Sequence, residues 1–225
     1  MKPVCVLISL CLFIATPVGA QQFAPVPPPA PGRSSSPAKP LSHAALLTEL
    51  KRGGYTIYIR HTSTDFTRDD VKSRSDDDCG NQRPLTDKGR DEARRLGADM
   101  KRAGFPISEV LASPRCRTVE AAKLAFGTYK LAEEVLGGAI TKHPVERYAP
   151  LVTWFKQGPG VGRNRVIVSH GNPFYATAGT PYLAEGEAAV VKPLGKDFEV
   201  IARVAWNGWG ALSTLFPATA VSPPP

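Results

Sequence analysis

The chain has 225 residues, 28 Lys and Arg against 20 Asp and Glu, and a formal net charge of +8. A basic balance of this size suits an anionic substrate or surface, such as phosphate-bearing envelope glycans. It does not carry a nucleic-acid role: aromatic residues are 8% of the chain, no Lys/Arg run is interleaved with them, and no nucleic-acid partner is expected.

Residues 1–20 read as a secretory signal peptide. Lys2 supplies the positive start, Val4 to Ile14 is almost unbroken apolar sequence, and Pro17-Val18-Gly19-Ala20 offers a cleavage site after Ala20. The apolar run is short for a membrane span and Pro17 closes it, so no stable membrane insertion is expected after cleavage. An uncleaved anchor is the alternative, and a lipoprotein is disfavoured because Leu10 precedes Cys11. The expected location is periplasmic or secreted.

Residues 21–42 are rich in Pro, Ala and Ser without a hydrophobic period and read as a linker, and the tail at 217–225 has a similar composition. Residues 43–216 remain as one domain with room for a substantial core. Of four cysteines, Cys79 and Cys116 stay after the signal leaves. In an exported domain they are expected to form one disulfide, worth about 4 kcal/mol by loop-closure entropy; two separate thiols are the alternative.

Along the domain, helix and strand patterns alternate. Ser42 or His43 to Arg52 reads as a short helix stopped by Gly53-Gly54, and Tyr55 to Arg60 as a strand rich in β-branched and aromatic residues. A polar stretch from Thr62 to Arg83 follows. Thr86 then caps a helix to about Arg102, and Gly104-Phe105-Pro106 ends it. Val110 to Ser113 reads as a buried strand, Arg115 to Phe126 and Tyr148 to Lys156 as helices, and Arg165 to Ser169 as a strand. A helix from Pro173 to Ala178 and strands at Ala188–Lys192 and Phe198–Val204 complete the series. This order predicts a three-layer α/β/α sandwich around a mostly parallel sheet.

Two of the four histidines, His61 and His170, stand directly after predicted strands. Ligands of open α/β sheets bind beyond the carboxyl ends of strands, so these two histidines can converge on one pocket. Arg60 adjoins the first. Arg117 lies near the start of the helix after Ala112-Ser113-Pro114, where the helix N-terminus also favours an anion. Arginine suits a phosphoryl group, whose charge is spread over several oxygens, because its planar fork of donors stays protonated.

These residues carry a resemblance. Ile59-Arg60-His61-Thr62-Ser63-Thr64 resembles the Arg-His-Gly-x-Thr signature of the histidine phosphatase superfamily, the phosphoglycerate-mutase-like branch 1. Pro84-Leu-Thr-Asp-Lys-Gly89 with Glu92-Ala93, Ala112-Ser-Pro-Arg-Cys-Arg117 with Glu120-Ala-Ala122, and Val168-Ser-His-Gly-Asn172 resemble its further motifs in the same order. The resemblance implies a phosphoglycerate-mutase-like fold, no metal and no cofactor. It implies that His61 is the nucleophile, that Arg60, Arg117 and His170 bind the phosphoryl oxygens, and that Asn172 and Thr67 stand nearby. The proton donor to the leaving group matches less well: Glu146, Glu185 and Asp65 are the candidates, in that order. Thr62 stands where the family has Gly, and the segment around Gln82-Arg83 lacks an aspartate often found there.

The resulting expectation is an exported phosphatase acting on a phosphorylated small molecule, glycan or phosphoprotein. A mutase is disfavoured, since the chain lacks room for extra substrate-capping segments. The second class of reading is a domain of the same fold that binds anions with little or no catalysis.

Overall fold

The computed structural model describes residues 41–138 and 144–214. The expected signal peptide, the linker up to residue 40 and the tail at 217–225 lie outside the described residues. Among those described, no helix is long and apolar enough to cross a membrane.

The elements run α1 His43–Arg52, β1 Thr56–Arg60, α2 Asp87–Ala103, β2 Ile107–Ala112, α3 Cys116–Phe126, β3 Lys130–Leu131, α4 Pro144–Arg147, α5 Ala149–Gln157, β4 Asn164–Ser169, α6 Gly171–Ala178, β5 Ala188–Pro193, β6 Phe198–Val204 and α7 Trp209–Thr214. Local chemistry sets the helix ends. The Ser42 hydroxyl accepts from the Ala45 N–H and the Thr86 hydroxyl from the Gly89 N–H. Gly104 closes α2 at φ 70°, a left-handed position that glycine adopts without steric cost.

The strands form one sheet in the order β3-β2-β4-β1-β5-β6. β3, β2, β4 and β1 pair in parallel, whereas β1 with β5 and β5 with β6 are antiparallel. Side chains alternate along each strand and enter two separate cores. Ile57, Ile59, Val110, Val166, Val168 and Val190 face α1, α2, α3 and α7. Tyr58, Leu111, Ile167, Ala189 and Val191 face α5 and α6, packed with Tyr148, Leu151, Phe155 and Phe174. A sheet buried on both faces between two helical layers is the three-layer sandwich expected from the sequence.

At the amino end of the sheet, Asn164 is fully buried and satisfies its side chain completely. Its Nδ2 donates to the carbonyls of Leu50 and Pro106, and its Oδ1 accepts from the Tyr55 N–H. One amide thus fastens the end of α1 and the entries to β1 and β2. Three short pieces were not expected from the sequence. β3 has only two residues, α4 four and α7 six, yet Trp209 of α7 is fully buried against the first core.

Candidate active site

The site begins with sheet register. β1 and β4 are neighbours, and Arg60 pairs with Ser169. The next residue on each strand is a histidine, and the His61 N–H donates to the Ser169 carbonyl at 2.9 Å. The two rings therefore leave the sheet side by side, with centroids 5.4 Å apart at 71°. On the far side of β4, Ser113 follows the end of β2 and its N–H donates to the Val168 carbonyl. Three adjacent parallel strands thus deliver Ser113, His170 and His61 in a row.

Both histidines are almost wholly buried. His61 Nδ1 lies 3.0 Å from the Thr62 carbonyl oxygen. A carbonyl can only accept, so Nδ1 carries the proton and the neutral ring keeps its lone pair on Nε2. Burial pushes the His61 pKa well below the usual histidine value, and the charges of Arg117 and Arg60 push it further. His170 is lowered likewise by burial, by His61 and by Arg117. Its Nε2 lies 3.0 Å from the Ser113 hydroxyl, and its carbonyl accepts from the buried Tyr58 hydroxyl at 2.7 Å. Gly137 presses on the His170 ring: a Cβ there would approach Cδ2 to 2.5 Å, so the close packing needs glycine.

Arg60 is held by Nη1 on the Leu183 carbonyl at 2.8 Å, by the Tyr182 ring 5.3 Å from Cζ, and by Glu185, whose Oε1 lies 3.5 Å from Nη2. Glu185 also accepts from the Thr64 N–H and hydroxyl at 3.1 and 2.6 Å, and its Oε1 is 3.9 Å from His61 Nδ1. With both oxygens engaged as acceptors, Glu185 orients Arg60 and the loop after His61. Arg117 is buried in the first turn of α3, where Nη1 donates to Asp70 at 2.9 Å. The Nε atoms of Arg60 and Arg117 are buried and have no protein acceptor. Buried donors without partners are costly, and a bound oxyanion would satisfy them.

The polar stretch after His61 is tied to this pocket. Cys79 and Cys116 are joined by a disulfide, one residue before Arg117. Gln82 accepts the Cys116 N–H at 2.9 Å and donates to the carbonyls of Ser75 and Asp76. Asp70 Oδ1 accepts from both Arg117 Nη1 and the Arg83 N–H. Burial would raise the Asp70 pKa, but Arg117 and the Arg83 N–H outweigh it and hold the carboxyl low.

The remaining candidates from sequence lie as follows. Asn172 Nδ2 donates to the Gly138 carbonyl at 2.6 Å and its Oδ1 accepts from the Tyr182 hydroxyl at 2.6 Å, so it links the turn against His170 to the segment over Arg60. Asp65 and Thr67 bond to each other, hydroxyl to carboxylate, at 2.6 Å, and Thr67 is exposed. Glu146 is exposed on α4, which packs against α6, the helix that His170 caps. Asp70, Arg83, Ser113 and Tyr182 were not singled out by sequence. Only Ser113 had a signal, its place at a third strand end. Among the described residues, no group of three or more His, Cys, Asp or Glu side chains forms a cluster that could hold a metal ion.

A family model matches residues 56–138, a span that includes Arg60, His61 and Arg117. It is that of the histidine phosphatase superfamily, branch 1. His170 lies beyond the matched span, and the register of β1 and β4 brings it back beside His61. Among solved structures, the open reading frame Rv3214 of Mycobacterium tuberculosis is 17% identical with a TM-score of 0.51, over 67% of this chain and 97% of its own. A protein histidine phosphatase, SixA, complexed with tungstate is 19% identical with a TM-score of 0.48, over 68% and 97%. TTHB049 from Thermus thermophilus is 20% identical with a TM-score of 0.45, over 67% and 99%. At such identities the likeness to Rv3214 speaks to the fold alone, the phosphoglycerate-mutase-like α/β arrangement. No curated protein matches this chain.

Proposed function

We propose that this chain is an exported phosphatase that hydrolyses phosphate monoesters through a phosphohistidine on His61. The observation that carries the reading is the His61 ring, neutral and aimed by the Thr62 carbonyl, with the buried and unpartnered Nε atoms of Arg60 and Arg117 in the same site. His61 Nε2 attacks phosphorus, an N–P bond forms, and the ester P–O bond breaks. Arg60, Arg117 and His170 bind the phosphoryl oxygens, and this preorganised positive pocket supplies most of the rate gain. His170 gains a proton as the phosphate dianion enters, because the anion offsets the burial and the neighbouring positive charges that keep its ring neutral.

The departing oxygen takes its proton from Glu146. Asp65 is half-buried and its carboxyl is held low by the Thr67 hydroxyl and N–H, which suits an acceptor and not an acid. Glu185 is engaged as an acceptor on both oxygens. Glu146 sits on the short helix whose next residue, Arg147, packs against Gly138, beside the turn that presses on His170. Water then attacks phosphorus, losing its proton to Glu146, and the N–P bond breaks to release phosphate. The substrate is a phosphorylated small molecule, glycan or phosphoprotein met in the periplasm or outside the cell, after cleavage following Ala20.

The test is hydrolysis of para-nitrophenyl phosphate by the mature chain, with acid-labile phosphate trapped on His61. His61→Ala is expected to lose at least about a thousandfold in kcat/KM. If the native protein and His61→Ala were equally inert across a broad panel of phosphomonoesters, the anion-binding reading would replace this one.

A further inference from the structure

Arg83 is a cation at this site with no carboxylate of its own. Among the described residues its guanidinium makes no ion pair and no hydrogen bond, and its Nε is buried without a partner. The one acidic side chain bonded to the residue, Asp70, takes the Arg83 backbone N–H and is otherwise engaged by Arg117. The position is nevertheless rigid. Gln82 is tied to three backbone groups, and the Thr64–Leu85 bridge and the Asp65 N–H on the Pro84 carbonyl hold this segment against the residues after His61. The side chain rests on the exposed Phe66 ring, 4.6 Å from Cζ to centroid.

An arginine immobilised this carefully and left without an anion is prepared to receive one. The anion is not the transferred phosphoryl group, for which Arg60, Arg117 and His170 already supply donors. Arg83 stands beside that set of donors: its N–H and Arg117 Nη1 share Asp70 Oδ1, and its guanidinium turns to the exposed Phe66 ring. We propose that Arg83 determines specificity by binding a second anionic group, a carboxylate or phosphate, on the leaving portion of the substrate. The preferred substrates are then phosphomonoesters that carry a second negative charge within a few bonds of the ester.

The inference rests on the phosphomonoester reading of the pocket, so its test does not depend on turnover. Binding of methylphosphonate and of phosphonoacetate, which differ by the carboxylate, is measured by calorimetry on the native chain, Arg83→Gln and Arg83→Lys. The native protein is expected to bind phosphonoacetate at least about tenfold more tightly, Arg83→Gln to reduce that ratio to within about threefold, and Arg83→Lys to keep part of it. An equal affinity for the two ligands in the native protein would overturn the inference. So would an equal loss of both in Arg83→Gln, which would make Arg83 another ligand of the phosphoryl group. Binding with these ratios but no hydrolysis of any ester would instead count against the phosphatase reading alone.

Discussion

Asp70 Oδ1 lies 2.9 Å from Arg117 Nη1, so the arginine at the head of α3 holds a carboxylate of the protein's own. The contact gives a buried guanidinium its counter-charge, and it also sets a negative group beside the place where the proposed mechanism puts a phosphoryl dianion. Asp70→Asn keeps the shape and removes the charge. Inhibition by inorganic phosphate or vanadate is expected to strengthen by about three- to tenfold, most clearly at low salt. Weaker or unchanged inhibition would mean that Asp70 serves only to position Arg117.

Glu146 as the acid makes a prediction about leaving groups. A good leaving group such as para-nitrophenolate needs little protonation, whereas an alkoxide needs it fully. Glu146→Gln is expected to slow an alkyl phosphate by about 10²- to 10³-fold and para-nitrophenyl phosphate by less than about tenfold. A loss of equal size on both substrates would assign the proton to another group.

Stability should depend on pH through the buried histidines. Both are lowered in the fold relative to an unfolded value near 6.5. Below about pH 6.5 the unfolded chain therefore binds more protons than the native one, and stability falls as the pH falls. The slope reaches at most about 1.4 kcal/mol per pH unit for each histidine. Their contribution is fully present above the unfolded value. Denaturant titrations between pH 7.5 and 5 would measure this, and His61→Asn should flatten part of the slope. Added phosphate, which favours a protonated His170, should flatten it too.

The Cys79–Cys116 bond closes a separation of 37 residues. Loop-closure entropy gives about 4 kcal/mol for that length, and strain or residual structure in the reduced chain would make the measured value smaller. Cys79→Ser with Cys116→Ser is expected to lower the denaturation midpoint and to weaken phosphate inhibition, because Arg117 follows Cys116 directly. Loss of stability with unaltered phosphate affinity would restrict the bond to a purely structural part.

Much of this molecule is visible in its residues because the informative features are local. Tyr55 to Arg60 and Arg165 to Ser169 announce strands by their β-branched residues, and a histidine after each is enough to suggest one pocket. Thr86 and Gly104 bound α2 by chemistry that needs no tertiary context. The stretch from Thr62 to Arg83 behaves differently. It has no hydrophobic period, so nothing in it tells that Asp70 folds back onto Arg117 or that Arg83 meets Phe66. Those contacts depend on long-range closure through the disulfide and Gln82. Glu185 was visible as a candidate, but its work as a double acceptor from Thr64 depends on a segment 121 residues away. Trp209 gives no signal in the sequence, because a six-residue helix leaves almost no periodic pattern.

The pairing of Arg60 with Ser169 has a consequence for how such a site can vary. Neighbouring strands keep a spacing of about 4.8 Å whatever their side chains. The backbone ladder, and not any loop, therefore acts as the gauge that fixes the distance between the two imidazoles. Insertions in the loops can reshape the rim and, in the proposed reaction, change which alcohol departs, while the gap between the two rings stays constant.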